Sequence, residues 1–140
     1  MHWNHKKLNL FLAGIILGLS LSACGGGGET GTAGAGPQLP PKILSWSPPT
    51  AYSDGTSLNP VAELDSFEVY VNQSGVFSNA DSPAAYVQAV VPGSNKVTTE
   101  FNLANLGYFL SPGVVYRVSL RAVALTGAKS GFSPSASFSF

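Results

Sequence analysis

Two hydrophobic patterns divide the chain. From Leu8 to Leu21 the residues are apolar except for Asn9, Gly14, Gly18 and Ser20, a run of 14. Beyond Ile43 the pattern becomes one of alternation. Phe67, Val69 and Val71 alternate with Glu68, Tyr70 and Asn72, and Tyr116, Val118, Leu120 and Ala122 alternate with Arg117, Ser119 and Arg121. A period of two predicts strands with one row of side chains turned inward and the other turned to solvent. On that reading Glu68 and Tyr70 share the solvent face with Arg117 and Arg121. Further strands are predicted over Ile43 to Ser47, Tyr86 to Val91, Val97 to Leu103 and Ala136 to Phe140. Ser-Pro-Pro, Asp-Gly, Pro-Gly-Ser-Asn, Ser-Pro-Gly and Thr-Gly fall between them as turns, each explained by its glycine or proline. No long amphipathic helix can be placed. The expected fold is an all-β antiparallel sandwich.

The N-terminal run is too short to cross a bilayer comfortably, and Lys6 and Lys7 precede it, as in a signal-peptide core. It closes on Leu21-Ser22-Ala23-Cys24, which holds the chain's single cysteine, and Gly25 to Gly36 follow with no apolar side chain large enough to drive ordering. Those twelve residues predict a flexible tether with an average reach of about 17 to 20 Å. Pro37, Pro40 and Pro41 then stiffen the approach to the domain. The expected organisation is a leader over residues 1–23, Cys24 and a disordered tether over 24–42, and one folded domain over 43–140.

Charge and composition narrow the function. Without the leader the chain has 117 residues, with five basic and seven acidic side chains. A balance of −2 gives no reason to expect a nucleic-acid partner. Both histidines, His2 and His5, lie in the leader. The domain therefore has no histidine or thiol from which to assemble a nucleophile-base pair or a transition-metal site. No catalytic, cofactor-binding or metal-ligating residues are expected. Asp54, Glu63 and Asp65 match no calcium-loop spacing and are expected to be solvated loop carboxylates, with Leu64 turned to the core.

Basic residues, an apolar core and then small residues before a cysteine resemble the lipobox of bacterial lipoproteins. The resemblance implies cleavage before Cys24 and acylation of its thiol, palmitate included. The membrane is then a partner through those acyl chains. In a diderm cell Gly25 stands where an aspartate would resemble an inner-membrane retention signal, so the implied destination is the outer membrane.

The domain has its own resemblance. Ser45-Trp46-Ser47-Pro48-Pro49, Asp54-Gly55, Leu58, Leu64 and Phe67-Glu68-Val69-Tyr70 are similar to the second and third strands of bacterial fibronectin type III domains and the loop between them. Leu110 to Val118 resembles the corner leading into a later strand, and Gly127, Ser130 and Ser133 resemble the loop before the last. An immunoglobulin-like sandwich is implied, with Trp46 at its centre and the Tyr116 hydroxyl bonded to upstream backbone. One feature departs from the family. Residues before Ile43 leave its first strand very short or missing, which makes the tryptophan strand a sheet edge guarded by flanking prolines.

These expectations describe a non-catalytic binding, adhesion or structural module anchored at a bacterial envelope, with a protein or glycan as partner. The alternative is a spacer or accessory subunit that positions an envelope enzyme or secretion complex. With its first strand absent, the chain enters beside Phe77 and Tyr108-Phe109, which then face the membrane. Tyr52, Asp54, Lys129 and Phe132 point away and are the candidate partner contacts.

Overall fold

A computed structural model describes residues 39–140. The leader, Cys24 and the glycine-rich tether lie outside the described residues. Six strands form where six were expected: β1 (Ile43–Ser45), β2 (Leu64–Asn72), β3 (Ala85–Gln88), β4 (Glu100–Asn102), β5 (Tyr116–Ala124) and β6 (Ala136–Phe138). All pair antiparallel, β1 with β4 in a two-stranded sheet and β3-β2-β5-β6 in a four-stranded one. Among the described residues helix is confined to α1 (Pro60–Glu63) and one 3-10 turn, Leu103–Leu106.

Several strands are shorter than alternation suggested. The β1-β4 ladder extends one step past Ser45, where the Trp46 N–H donates to Thr99 O at 2.9 Å. Pro48 and Pro49 then offer no N–H to continue it. β4 stops at Asn102, whose side chain accepts the Ala104 N–H and so caps the 3-10 turn. Leu103 and Leu106 are both buried by that turn. A spacing of three, wrong for a strand, brings both to one side of a 3-10 turn.

The ladder between β2 and β5 is the longest, running from Leu64↔Ala124 to Asn72↔Arg117 with a bulge between Leu64 and Ser66. One extra residue there lets Leu64 and Phe67, three apart, both face inward. The core lies between the two sheets. β1 supplies Leu44 and the residue just past its end supplies Trp46, while β2 and β5 supply Phe67, Val69, Val118 and Leu120; Leu58, Leu103, Leu106 and Leu110 complete it from the connections. Trp46 stands edge-on to Phe67 with ring centroids 5.2 Å apart. Its Nε1 is buried without a hydrogen-bond partner, so the ring contributes packing and no polar bond.

Where the chain crosses from the 3-10 turn to β5, the Ser111 N–H donates to the Tyr116 hydroxyl at 3.0 Å. The Tyr116 ring stacks on Phe138 at 5.8 Å. This pins the crossover as the tyrosine's position implied. The chain enters at the same end of the sandwich: Lys42 N–H donates to Asn102 Oδ1 at 3.0 Å, and Leu39 lies against Gly107. Among the described residues no strand precedes β1.

Trp46→Ala should cost about 3 to 5 kcal/mol, the usual range for emptying such a site. Trp46→Phe should cost less than half of that, because no hydrogen bond is lost with the indole. Tyr116→Phe removes only the acceptor for Ser111 and should cost about 1 kcal/mol. Urea midpoints of the three variants would check the order; an equal loss for both Trp46 variants would contradict the packing-only role.

Candidate functional site

The outward row of β2 and β5 was expected to be wet, and the structure corrects that. Glu68 and Tyr70 are each only 2% exposed. The cover comes from the segment between β5 and β6, which turns back along β5 through a bridge from Lys129 to Val123. Ser130 N–H and Ser133 N–H donate to Ala122 O and Leu120 O at 2.9 and 2.8 Å. The return bonds come from serine hydroxyls rather than main-chain carbonyls: Ser130 Oγ accepts the Ala122 N–H at 2.9 Å, and Ser133 Oγ the Leu120 N–H at 3.0 Å. Gly131 and Phe132 lie between these two anchors. Phe132 reaches across the sheet to stand edge-on to Tyr70 at 4.9 Å and stack on Phe77 at 5.8 Å.

Cationic and polar groups bind the cover down. Lys129 Nζ donates to Glu68 Oε1 at 2.5 Å, and the Tyr70 hydroxyl donates to Glu68 Oε2 at 2.7 Å. Arg121 stands opposite Glu68 in the ladder but is spent elsewhere. Its Nε donates to Ser130 O at 2.8 Å, one terminal nitrogen donates to Asn79 Oδ1 at 2.9 Å, and the guanidinium lies 4.7 Å from the centre of the Phe132 ring. One side chain thus joins β5, the return segment and the β2-β3 connection.

The electrostatics follow from this geometry. Burial pushes the Glu68 carboxyl up, but Lys129, the Tyr70 hydroxyl and Arg121 outweigh it and hold the pKa below the ordinary carboxylate value. Burial, and then the bond to the Glu68 carboxylate, push Tyr70 up to about 12. Near neutral pH the site therefore presents a fixed carboxylate, a fixed phenol and two cations. Such a set can hold loops or recognise a charged, aromatic-binding surface. Neither Glu68 nor Tyr70 is poised to exchange a proton there.

The candidate contacts separate into two places. Lys129 and Phe132 belong to this cluster, and Phe132 is half-buried rather than an exposed loop tip. Phe77 packs on the same face, against Tyr70 and Phe132. Tyr52 and Asp54 lie in a hairpin before α1. The Tyr52 hydroxyl donates to Glu63 Oε1 at 3.1 Å, with burial and the Glu63 charge raising its pKa. Glu63 Oε2 accepts the Asn59 N–H at 2.6 Å while Asn59 Oδ1 accepts the Val61 N–H, a reciprocal cap on α1. Asp54 Oδ1 accepts from Thr56 N–H and Oγ1, and Asp65 accepts from the Ser66 hydroxyl. Of the three carboxylates expected in a loop, Asp54 alone serves a loop turn; Glu63 belongs to α1, where it caps the helix and holds Tyr52, and Asp65 belongs to β2.

Alternation could have identified one surface that was missed. Ala85 and Val87 pack inward on β3, so Tyr86 between them points out and is 69% exposed. It borders an open groove of about 520 Å³ with Gln88, Asp65, Ser66 and the exposed Leu125. A second, more apolar cleft of about 300 Å³ lies at the chain-entry end, between Pro83 and Phe109 above Leu106 and Tyr116. Among the described residues no group of three or more His, Cys, Asp or Glu could hold a metal ion, and no helix is long and apolar enough to cross a membrane. No family model, curated protein or solved structure matches the chain.

Glu68 makes the cluster pH-dependent with a definite sign. Its folded pKa is depressed below the ordinary carboxylate value of 4.5, so its contribution is fully present above about pH 4.5 and is lost as pH falls through the folded value. Thermal unfolding of the wild type between pH 7 and pH 3 should weaken more steeply than that of Glu68→Gln. Parallel curves would remove Glu68 from the account. Phe132→Ala should also lower stability, by about 2 kcal/mol, because it uncovers Tyr70 and Arg121.

Proposed function

We propose that the chain is a lipid-anchored, fibronectin type III-like sandwich that serves a bacterial envelope as a non-catalytic binding or structural module. The observation that carries the domain type is the corner at Tyr116. Its hydroxyl receives the Ser111 N–H immediately before the strand that pairs with β2, as the resemblance implies. The division of strands supports the same reading: β1 joins β4, and β3, β2, β5 and β6 form the other sheet in that order, the pattern of an immunoglobulin-like sandwich entered at its second strand. The anchor rests on Leu21-Ser22-Ala23-Cys24 after a short apolar run, with two or three acyl chains giving stable attachment where one would not.

A fold of this type does not choose a ligand, so the partner has to be argued from the surface. The groove beside Tyr86 and Leu125 offers an exposed ring, an aliphatic side chain and the polar ends of Gln88 and Asp65. That combination suits a protein or glycan. Lys129 and Phe132 are engaged within the domain, which favours contact at the groove over contact through those two. The same engagement supports the second reading, a spacer that positions an envelope enzyme or secretion complex, since a rigid domain with few exposed loop rings suits that task.

Cys24→Ser should move the protein from the membrane to the soluble fraction, and mass spectrometry of the wild-type mature N-terminus should show Cys24 acylated. An unmodified cysteine at that terminus would refute the anchor. For the partner, a photocrosslinker at position 86 should trap a protein or glycan adduct in intact cells. Trapping at position 86 supports the binding reading; adducts only at sites remote from the groove support the spacer.

A further inference from the structure

We infer that the chain-entry end of the domain is a lipid-contact surface, with Tyr108 and Phe109 seated in the headgroup region so that the sandwich stands on the membrane in one orientation. The inference rests on the acylation of Cys24 proposed above and goes beyond it, because an anchored domain on a tether could equally hang free.

Three observations lead to it. First, the polypeptide enters the domain at this end, where Leu39 touches Gly107 and Lys42 is bonded to Asn102. Fourteen residues separate Cys24 from Leu39, a span of about 50 Å at full extension. That length is ample for the end to reach the surface in which Cys24 would sit, and every other part of the domain lies further along the chain's path. Second, this end carries the exposed aromatic pair. Tyr108 is 77% and Phe109 56% exposed, their rings lie 4.1 Å apart, and Val76 and Val115 add exposed aliphatic surface from the neighbouring turns. Tyrosine and phenylalanine at a tip, one amphipathic and one apolar, suit the water-lipid boundary. Elsewhere the exposed large apolar residues, such as Val61, Tyr86 and Leu125, stand apart from any such pair.

Third, the charges are graded in the same direction. Lys42 and Arg117 lie at the entry end with Asp81 as the acidic residue of its turns, whereas the opposite end carries Asp54, Glu63, Asp65 and Glu100 against Lys96 and a Lys129 already paired with Glu68. An anionic leaflet attracts the first end and repels the second. In this pose the groove beside Tyr86 and Leu125, at the β2-start and β5-end side of the sheet, is held toward the space where a partner arrives.

The test uses the full-length protein purified in its acylated form and reconstituted into vesicles of phosphatidylethanolamine and phosphatidylglycerol. An environment-sensitive fluorophore is attached through Val115→Cys in one sample and Leu125→Cys in another, both positions being exposed in the structure. Nitroxide carried on lipid should quench the label at position 115, and iodide in the water should reach only the label at position 125. Adding Tyr108→Ser and Phe109→Ser should abolish quenching at 115 while the vesicles still carry the protein on flotation. If flotation is normal but lipid nitroxide quenches neither label, the domain hangs free and the lipid-contact surface is refuted, with the anchor intact. Shielding of position 115 from iodide without lipid quenching means that a protein, such as a second copy, covers this end, which also refutes it. Failure of the unlabelled wild type to float would instead bring down the anchor, and the inference with it.

Discussion

A two-stranded sheet cannot cover a four-stranded one, and much of the remaining structure answers that mismatch. β1 and β4 are three residues each and, with Trp46 just past β1, contribute two buried side chains, Leu44 and Trp46, far too little to close the inner face of β3-β2-β5-β6. The connections supply the rest. Leu58 folds in ahead of α1, Leu103 and Leu106 come from the 3-10 turn, and Leu110 precedes the corner. Each must be delivered by a segment whose backbone polar groups are satisfied locally, hence the reciprocal cap between Asn59 and Glu63 and the shared use of Asn102 Oδ1 by Lys42 and Ala104. Capping here is the means by which loops become walls of the core.

The other face of the larger sheet meets the opposite problem, since its central strands are covered where one wet side would have sufficed. Covering them required Glu68 to enter a nearly dry site with its charge intact. A lone carboxylate there would be costly, and the arrangement offsets that cost with a bonded ammonium and a phenol while Arg121 adds field without contact. Whether such a cluster adds net stability over an apolar substitute is secondary to what it specifies. Lys129 and Phe132 come from the return segment and Asn79 from the β2-β3 connection, and only one register of the return segment satisfies them together.

The strands and their inward rows were legible because hydrophobic alternation reports the phase of a strand directly. Trp46 and Tyr116 were equally readable, since a large ring on the inward phase and a tyrosine after a Pro-Gly corner have few other uses. Alternation does not say whether the outward phase meets water. Glu68 is covered by Lys129, 61 residues later, and no local signal announces that encounter. Ser130 and Ser133 look like ordinary loop residues until their hydroxyls are seen standing in for main-chain acceptors. The run ending at Leu103 read as strand because a 3-10 turn of four residues leaves too short a trace to compete with its apolar neighbours. Tyr86 was within reach of the same alternation argument, since it sits on the outward phase of β3 between Ala85 and Val87.

The ladders also have a temporal meaning. Leu64 pairs with Ala124 and Ile43 with Asn102, so the contacts that enclose Trp46 join positions more than fifty residues apart. Only the β2-β3 and β5-β6 pairings can arise between neighbours in sequence, and neither brings the two sheets together. Closing such long loops is paid in chain entropy before any core forms, which places folding in the slow range of about milliseconds to seconds. No fragment ending short of Ala124 contains the central ladder in full. As the chain is made from its N-terminus, the apolar rows of β2 must therefore wait, without their central partner, until β5 has been made through Ala124.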